Sequence, residues 1–332
     1  MADKKIVLIT GITGFVGSHM ADWILANHDD VEIHATKRYH LSKMDNVLHI
    51  QDQVHWHWCN LTDPIATVKL ITDLKPDIIF HFAAESFVSP SWDHPHVYMN
   101  VNYNGTLNIL EGMRLSGKTT TKILIPGSGE EYGEIAEDEI PINTKTAMHP
   151  VNPYAVSKVA QDLIGFVYFK SYGTKVIRTR AFNHEGPRRE NVFGIPWYAY
   201  QVARIEAGKQ DKHMEVGFLD DRRNFTHVLD IVGAYWQAVE TCEPGKLYLV
   251  GSEADSKVYT FRQALEMLIS MSTVEGITYE SVAKYIRPTQ VPRLIADTSE
   301  FREATNWTPS ISFEQILQET LDYWREQVAK GR

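Results

Sequence analysis

Three residues whose side chains can together move a proton stand at two places in the sequence. Tyr154 and Lys158 are four residues apart in the segment PYAVSK, so a helix places both side chains on one face. A lysine ammonium beside a phenol favours the phenolate, and the tyrosine can then exchange a proton with a carbonyl or hydroxyl group. Ser128, in the segment GSGEEYG, is expected to hold the same oxygen atom. A Tyr-x-x-x-Lys pair is common by chance, so its meaning depends on the elements around it.

Three glycines lie in the segment GITGFVGS, between an apolar run and a helical pattern. Gly11, Gly14 and Gly17 allow a tight turn whose backbone can approach a pyrophosphate at the N-terminus of the following helix. The spacing is GxxGxxG rather than GxGxxG, and a purely structural turn is the alternative. Because both the strand and the helix are where a dinucleotide turn requires them, we expect a dinucleotide-binding site.

The ends of the other predicted strands bear on which dinucleotide binds. The second strand ends in Lys37 and Arg38, and basic residues there suit the 2′-phosphate of NADP, whereas an acid suits NAD. A solvated basic loop end is the alternative. Asn60, after the third strand, could meet the adenine edge, and the small pair Ala83 and Ala84 leaves room for the cofactor.

A parallel sheet must position these residues. Short β-branched runs alternate with helical patterns, and each parallel crossover needs such a helix. The predicted strands cover 5–10, 31–36, 54–59, 77–84, 122–127 and 175–182, and helices are predicted from Pro153 and over 226–240, 260–271 and 312–328. This predicts an α/β fold with a doubly wound parallel sheet of the Rossmann type and a smaller, mostly C-terminal substrate domain.

The second half of the chain is less regular and contains no long linker. We expect it to pack on the sheet rather than to form a separate tethered unit. The expected division assigns residues 1–182, with parts of 224–252, to an NADP-binding domain. Residues 183–223 and 253–330 are assigned to a substrate domain.

Composition narrows the classes of protein and partner. The 332 residues include 43% apolar and 23% charged residues, as in an ordinary globular protein, and the formal net charge is −9. Such a charge gives no general attraction for a phosphate backbone, so we expect no nucleic-acid partner. Cys59 and Cys242 form no CxxC pair, and no apolar run reaches the roughly 18 residues of a membrane span. We therefore expect a cytoplasmic protein without membrane contact.

The histidines raise the question of a metal. His55, His57 and His81 alternate with apolar residues in predicted strands, and His94 and His96 flank a proline. None has an acid or cysteine at ligand spacing along its own segment, so we interpret them as strand and loop residues and expect no metal.

Seven motifs, in order and at matching spacing, resemble the extended short-chain dehydrogenase/reductase family over nearly the whole chain. The resemblance is greatest to the branch of GDP-mannose 4,6-dehydratases and GDP-6-deoxy-4-keto-mannose reductases. It implies an NADP cofactor, a GDP-sugar substrate and a homodimer or homotetramer. A cofactor-bound regulator on the same fold is a further alternative, against which the complete set of Ser128, Tyr154 and Lys158 weighs. The motifs are GITGFVG, GSGEEYG, PYAVSK, FNHEGPRR, RNFTHVLDIV, RPTQVP and TNWTP.

The resemblance implies a role for one of the two glutamates in GSGEEYG. In a 4,6-dehydratase, oxidation at sugar C4 acidifies the C5 proton, a base removes it, and the C6 hydroxyl leaves. Glu130 occupies the position of the family's base and would, once protonated, act as acid to the leaving group. Gly129 stands where dTDP-sugar dehydratases have an Asp, which GDP-mannose dehydratases also lack. Glu131 is expected to point away from the pocket, because adjacent side chains of an extended segment face opposite sides.

The resemblance also implies contacts to the nucleotide sugar. Arg223 and Arg287 would bind its diphosphate, although either could instead pair with a surface acid. The other implied substrate contacts are Ser86, Ser128, Asn183, Arg188 and Gln290. The other implied cofactor contacts are Thr13, Phe15, Val16, Leu61 and Asn102.

Some of these implied assignments have alternatives, and the choice within the branch is open. Arg188, with Arg189, could reach a neighbouring subunit rather than the substrate. Gln290 stands where the family often has a Glu at the nucleotide ribose. The segment FNHEGPRR resembles the dehydratases more and RPTQVP the reductases at least as much. We favour the dehydratase, with the reductase as the alternative.

Overall fold

The structure confirms the predicted parallel sheet. It is a computed structural model that describes residues 4–253 and 256–332. Seven strands lie in the order β11-β6-β5-β4-β1-β2-β3, and every neighbouring pair is parallel. In chain order the strands are β1 Lys5–Thr10, β2 Val31–Lys37, β3 His55–Trp58, β4 Ile78–His81, β5 Lys122–Ser128, β6 Lys175–Ala181, β7 His184–Glu185, β8 His213–Val216, β9 Arg222–Arg223, β10 Thr226–His227, β11 Leu247–Val250, β12 Tyr259–Thr260, β13 Thr278–Ser281 and β14 Arg293–Leu294.

Helices cover both faces of this sheet. The first strands run outward from β1 to β3, and the chain then returns to β4 on the other side of β1. This reversal opens a crevice at the carboxyl ends of β1 and β4, where ligands bind in such folds. The helices are α1 Phe15–Asn27, α2 Pro64–Leu74, α3 Pro95–Tyr98, α4 Gly105–Ser116, α5 Pro153–Tyr172, α6 Gly194–Glu206, α7 Val228–Thr241, α8 Phe261–Ser270, α9 Ser299–Thr305 and α10 Phe313–Ala329.

Two apolar layers hold the helices to the sheet because successive side chains of a strand point to opposite faces. On one face, Val7 and Ile9 of β1 pack with residues of α1 and α7. On the other face, Leu8 of the same strand packs with residues of α2, α4 and α5. The core of the sheet is therefore closed on both sides, and its carboxyl edge is left for ligands.

A separate apolar cluster forms beyond the sheet from α6, α8, α10 and β8. Met267 and Met271 pack against it, as expected for apolar residues at helical spacing. Both α7 and β11 instead belong to the sheet layer. This separation of cores supports the proposed division of the chain into a dinucleotide domain and a substrate domain.

Most predicted elements agree with the structure to within one or two residues. The fourth strand is an exception, because β4 ends at His81 rather than at residue 84. The chain turns there because Ala83 lies directly against the glycine turn after β1. The sequence does not predict β11, the edge strand next to β6, because its short segment LYLV carries little periodicity. Among the described residues, no helix is long and apolar enough to cross a membrane.

Candidate active site

The predicted proton-transfer residues meet at the carboxyl end of β5. Ser128 is the last residue of that strand, and Tyr154 and Lys158 lie in the first turns of α5, both buried. The helix begins here because the Asn152 Oδ1 atom accepts the Ala155 N–H at 2.7 Å and Pro153 occupies the first helical position. The cap therefore sets where Tyr154 stands relative to Ser128.

A short 3-10 turn, Gly129–Glu131, orients the serine. The Ser128 N–H donates to Oε1 of Glu131 at 2.7 Å, and the Ser128 Oγ atom accepts the Glu130 N–H at 3.2 Å. These reciprocal bonds form a capping box that fixes the backbone of the serine. The two glutamates after the strand thus differ, since one of them supports the turn.

Glu130 faces the candidate site. Its side chain is half-buried, and its Oε2 atom accepts a hydrogen bond from the Asn152 amide at 3.1 Å. Burial is the main cause of the raised pKa of Tyr154, and the nearby charge of Glu130 raises it further. Asn152 therefore caps α5 and also holds the carboxylate, a double role that the sequence analysis did not assign. An Asn directly before a Pro at a helix start was the signal for the cap.

The environment of Tyr154 differs from the simple expectation. Burial raises the pKa of Tyr154, and a hydrogen bond with Ser128 opposes the shift. Lys158 donates to the Pro126 carbonyl at 2.6 Å and to Oε1 of Gln161. Burial lowers the pKa of Lys158 to about 8, against the charges of Glu131 and of Asp162. In the protein alone, burial therefore keeps the phenol neutral.

A buried chain of hydrogen bonds runs from Lys158 beneath the sheet edge. The lysine's acceptor Gln161 donates to Thr106 Oγ1 at 2.7 Å, which lies 2.8 Å from Nε2 of His81. The Nδ1 atom of His81 lies 2.8 Å from Thr10 Oγ1. Burial lowers the pKa of His81 to about 3, so this ring stays neutral and serves as a fixed link. These hydrogen bonds connect Lys158 to β1, the strand that precedes the glycine turn.

Glu131 points into the protein rather than into solvent. Its carboxylate is fully buried and accepts from Nε of Arg180 at 2.7 Å. Arg180 also contacts Asp162 at 2.8 Å, and Asp162 pairs with Arg178 at 2.6 Å. Burial raises the pKa of Glu131 to about 7, while Arg180 opposes the shift. This buried ionic network lies behind the serine turn.

The glycine turn suits a dinucleotide. Gly11 has φ +71°, and a Cβ atom there would lie 2.6 Å from the Ala83 nitrogen, so only glycine fits. Gly14 caps α1 without a side-chain hydrogen bond within the described part of the chain, which leaves the first N–H groups for an anion. Phe15 stacks on His184 at 5.9 Å, and Thr13 accepts the Asn46 amide at 3.1 Å through its carbonyl. Val16 packs against the core of the sheet.

The residues at the adenosine end of the predicted cofactor site differ in exposure and in their contacts. The Lys37 ammonium lies over the rings of Trp56 and Trp58, at 5.0 and 4.4 Å from their centroids. Arg38 is exposed, and its N–H donates to Ser42 Oγ at 2.9 Å. Asn60 is also exposed, Leu61 is buried, and the small pair Ala83 and Ala84 is half-buried at the crevice. Arg38 is therefore the freer of the two basic side chains.

Asn102 has a structural role in this arrangement. It lies in the π-helical turn Met99–Asn104 that joins α3 to α4. Its amide donates to the Glu85 carbonyl at 3.0 Å and to Ser157 Oγ at 2.8 Å, and its Oδ1 atom accepts the Glu85 N–H at 2.8 Å. It thereby connects the loop after β4 to α5, the helix of the proton-transfer pair.

The predicted diphosphate residues lie near Glu130. Arg223 is buried on β9, 3.7 Å from Asp221, and Arg287 is half-buried. Burial raises the pKa of Asp221, the nearby charges of Arg223 and Arg287 lower it, and Glu130 raises it further. These charges therefore share one cleft. Gln290 belongs to the same loop and donates to the Arg287 carbonyl at 3.3 Å.

The remaining predicted contacts are more dispersed. Asn183 accepts the Thr226 N–H at 3.0 Å through its carbonyl, and Ser86 is exposed. Arg188 forms an ion pair with Asp22 of α1 at 2.6 Å within the chain. Arg189, which the sequence analysis placed only at a subunit contact, packs over Phe15 at 5.5 Å, and its charge acts on Tyr154.

Comparison with known proteins agrees with this geometry. The family model described as GDP-mannose 4,6 dehydratase matches residues 8–320. The chain belongs to this family. The GDP-mannose 4,6 dehydratase of Drosophila melanogaster is 30% identical over 96% of this chain and 85% of its own length. The GDP-6-deoxy-D-mannose reductase of Pseudomonas aeruginosa is 30% identical over 97% of this chain and 98% of its own.

A solved structure also matches almost end to end. RMD from Pseudomonas aeruginosa, complexed with NADPH, superposes with a TM-score of 0.83 at 29% identity, covering 98% of this chain and 100% of that one. Membership of the GDP-mannose 4,6-dehydratase family thus accounts for the sheet and for the place of its ligand crevice. Sequence identity does not separate the two activities among these relatives, so the chemistry of the site must do so.

Proposed function

We propose that the protein is an NADP-dependent 4,6-dehydratase of a GDP-hexose, in the first instance GDP-mannose. The observation that carries this proposal is the place of Glu130. Its carboxylate shares one turn with Ser128 and is held by Asn152, the residue that begins the helix of Tyr154. A reductase needs only the serine, tyrosine and lysine, whereas a dehydratase also needs a group that removes a proton from carbon.

The residues divide the reaction between them. Ser128 orients the C4 oxygen. Tyr154 takes the proton of the C4 hydroxyl as a phenolate, for which the positive charges of Lys158 and of bound NADP+ would have to offset the effect of burial. A bound NADP supplies the hydride acceptor for C4 and later the hydride donor for C6, so no net reductant is consumed. Glu130 removes the C5 proton and returns it to the C6 oxygen, which leaves as water. One carboxyl group thereby serves as base and then as acid. When the hydride is returned to C6, C5 takes up a proton from solvent, and Tyr154 releases the proton that it received from the C4 hydroxyl.

The cofactor and substrate sites follow from the contacts described. Gly11, Gly14 and the N-terminus of α1 would hold the pyrophosphate, because that turn admits no Cβ and has free N–H groups. Arg38 would meet the 2′-phosphate, and the NADPH complex of the Pseudomonas aeruginosa relative supports this choice. Arg223 and Arg287 would bind the diphosphate of the sugar nucleotide, and Asp221 would orient them.

The second candidate is an NADPH-dependent reductase of a GDP-4-keto-6-deoxy sugar. The reductase of Pseudomonas aeruginosa is as similar to this chain as the dehydratases of Drosophila melanogaster and Yersinia enterocolitica are, over a larger share of its own length. In that function Glu130 would position the sugar without exchanging a proton.

Mass spectrometry of the purified protein with GDP-mannose and trace NADP+, without reductant, separates the two candidates. Loss of one water from the sugar establishes the dehydratase. Oxidation of NADPH with a pre-formed 4-keto sugar, without water loss from GDP-mannose, establishes the reductase instead.

The variant Glu130→Gln tests the proposed base. We expect kcat for water loss to fall by about 10²- to 10⁴-fold, because Gln cannot take the C5 proton. Hydride transfer from C4 in a single turnover should persist. Exposed Glu134 lies in the loop that follows, and Glu134→Gln should retain activity. Intact elimination and intact C5 hydrogen exchange in heavy water with Glu130→Gln would rule out this role.

Two expectations about the protein in its cell remain proposals. We infer a cytoplasmic enzyme, which the two buried free cysteines support, since a reducing compartment keeps such thiols unpaired. We also infer a homodimer or homotetramer from the family resemblance.

A further inference from the structure

Four side chains with metal-ligand chemistry meet at the edge of the sheet, away from the serine turn. Glu32 and His34 belong to β2, and His55 and His57 belong to the edge strand β3. The strands pair in parallel with His34 opposite His55, and alternate residues share a face. All four side chains therefore face the same side. We call them the β2–β3 cluster.

The distances within the cluster match those of a metal site. The Glu32 Oε1 atom lies 2.8 Å from Nε2 of His34 and 3.3 Å from Nε2 of His55. One ligand atom from each of these three residues lies within 4.8 Å of the others. Ligands bonded to a tetrahedral Zn²⁺ at about 2.0–2.1 Å are themselves about 3.3 Å apart. Small side-chain movements would thus suffice to admit the ion.

The fourth side chain supplies an outer contact. Nδ1 of His34 lies 2.9 Å from Nε2 of His57. A histidine that binds a metal through one ring nitrogen usually donates its other N–H to a neighbour, which fixes the ring. The His34 side chain is 10% exposed and the His55 side chain 60%, so the cluster is anchored in the protein and open to solvent on one side.

We propose that the β2–β3 cluster binds one Zn²⁺ ion through Glu32, His34 and His55, with His57 orienting His34 and water at the fourth position. Two imidazoles and a carboxylate favour a borderline-soft ion over Mg²⁺, which prefers oxygen ligands. The ion would join the four-residue edge strand β3 to β2. It has no part in the proposed reaction, so failure of either proposal leaves the other untouched.

Zinc binding can be measured directly on tag-free full-length protein. After incubation with ZnCl₂ and dialysis, we expect about one zinc per chain by elemental mass spectrometry, and a rise in Tm of a few °C with Zn²⁺ but not with Mg²⁺. His55→Ala, at an exposed position, should weaken Zn²⁺ binding about 10-fold or more, since it removes a ligand. Co²⁺ should give visible absorption bands in wild type that His55→Ala lacks.

His49→Ala is the matched control. His49 also pairs with a carboxylate, Asp22, at 2.7 Å, but lies outside the cluster. The site is supported if His49→Ala matches wild type in zinc content, Tm shift and Co²⁺ bands, and His55→Ala loses all three. Equal zinc retention by the two variants, or no zinc retained by wild type, overturns it.

Discussion

Two adjacent glutamates show how much the surroundings decide at the scale of single residues. Glu130 is half-buried and bonded to a neutral amide beside Tyr154. Glu131 is fully buried and bonded to the Ser128 N–H and to Arg180. The first is placed to exchange a proton with a ligand, and the second is a positioning residue for the serine.

Glu131→Gln should therefore affect both stability and rate. The substitution leaves the buried Arg180 with less compensation, and we expect a loss of about 3 kcal/mol in the free energy of unfolding. We also expect kcat to fall about 10-fold with little change in KM, since the serine turn loosens around the reacting oxygen. Urea unfolding and steady-state kinetics measure the two effects.

An exposed ion pair provides the control for this variant. Asp73 pairs with Lys69 at 2.6 Å on the surface of α2, and Asp73→Asn should change stability by less than about 1 kcal/mol. A Glu131→Gln protein as stable and as active as wild type would show that Glu131 does not support the turn.

At the scale of elements, the contact between α1 and the glycine turn sets the dinucleotide site. A Cβ atom on Gly17 would lie 2.3 Å from the Gly11 carbonyl oxygen and 2.8 Å from the Ile12 Cα atom. Both neighbours are backbone, so a side chain must push the helix away from the turn. The first N–H groups of α1 would move with it.

Gly17→Ala should consequently weaken NADPH binding by about 10-fold or more, by misplacing the pyrophosphate contacts. Fluorescence titration with NADPH measures the affinity. The control is Gly233→Ala in the middle of α7, where the nearest atom to the added Cβ is 3.9 Å away. That variant should be neutral or stabilised by about 0.5–1 kcal/mol, because alanine favours a helix. NADPH affinity unchanged in Gly17→Ala would contradict this account of the turn.

For the whole molecule, buried titratable groups link stability to pH. Burial lowers the pKa of His19 and of His184 to about 4 and that of His81 to about 3, and it also lowers the pKa of His227. Below about pH 6.5 the unfolded chain protonates these rings and the folded chain does not, so stability falls with pH.

Three buried acids act in the opposite direction. Burial raises the pKa of Glu131 and of Glu185 to about 7, and it raises that of Asp221. On folding, Glu131 and Glu185 bind protons between about pH 7 and pH 4.5, and Asp221 acts in the same direction, which offsets part of the histidine effect in that window. The loss of stability should become steep only below about pH 4.5, where both forms of the chain hold those protons.

The variant His19→Gln isolates one of these contributions. His19 Nε2 lies 2.9 Å from the Pro187 carbonyl oxygen, and the Gln amide can replace that donor. Between about pH 6 and pH 4.5, the free energy of unfolding of the variant should fall less steeply with decreasing pH than that of wild type. The difference between the two slopes should be about 1.4 kcal/mol per pH unit. Urea unfolding at several pH values tests this, with exposed His94→Gln as the control. Parallel curves for His19→Gln and wild type would show that His19 titrates alike in both states.

Local patterns in the amino-acid sequence were enough to place most of the elements and the candidate residues on them. Apolar periodicity predicts the strands and helices, glycine spacing predicts the turn before α1, and Tyr154 and Lys158 must share a helix face at their spacing. Each of these signals lies within a few residues of chain.

Partners that come from distant segments could be identified only in the folded protein. Arg180 reaches Glu131 from the next strand. His81 is linked to Lys158 through Thr106 and Gln161, and Glu32 meets His55 across two strands. In a parallel sheet, the register between strands decides which residues meet. Register depends on how the sheet assembles, so no residue spacing within a single segment reveals it. Burial has the same origin. It raises the pKa of Tyr154, whereas the spacing of Tyr154 and Lys158 in the sequence predicts a phenolate.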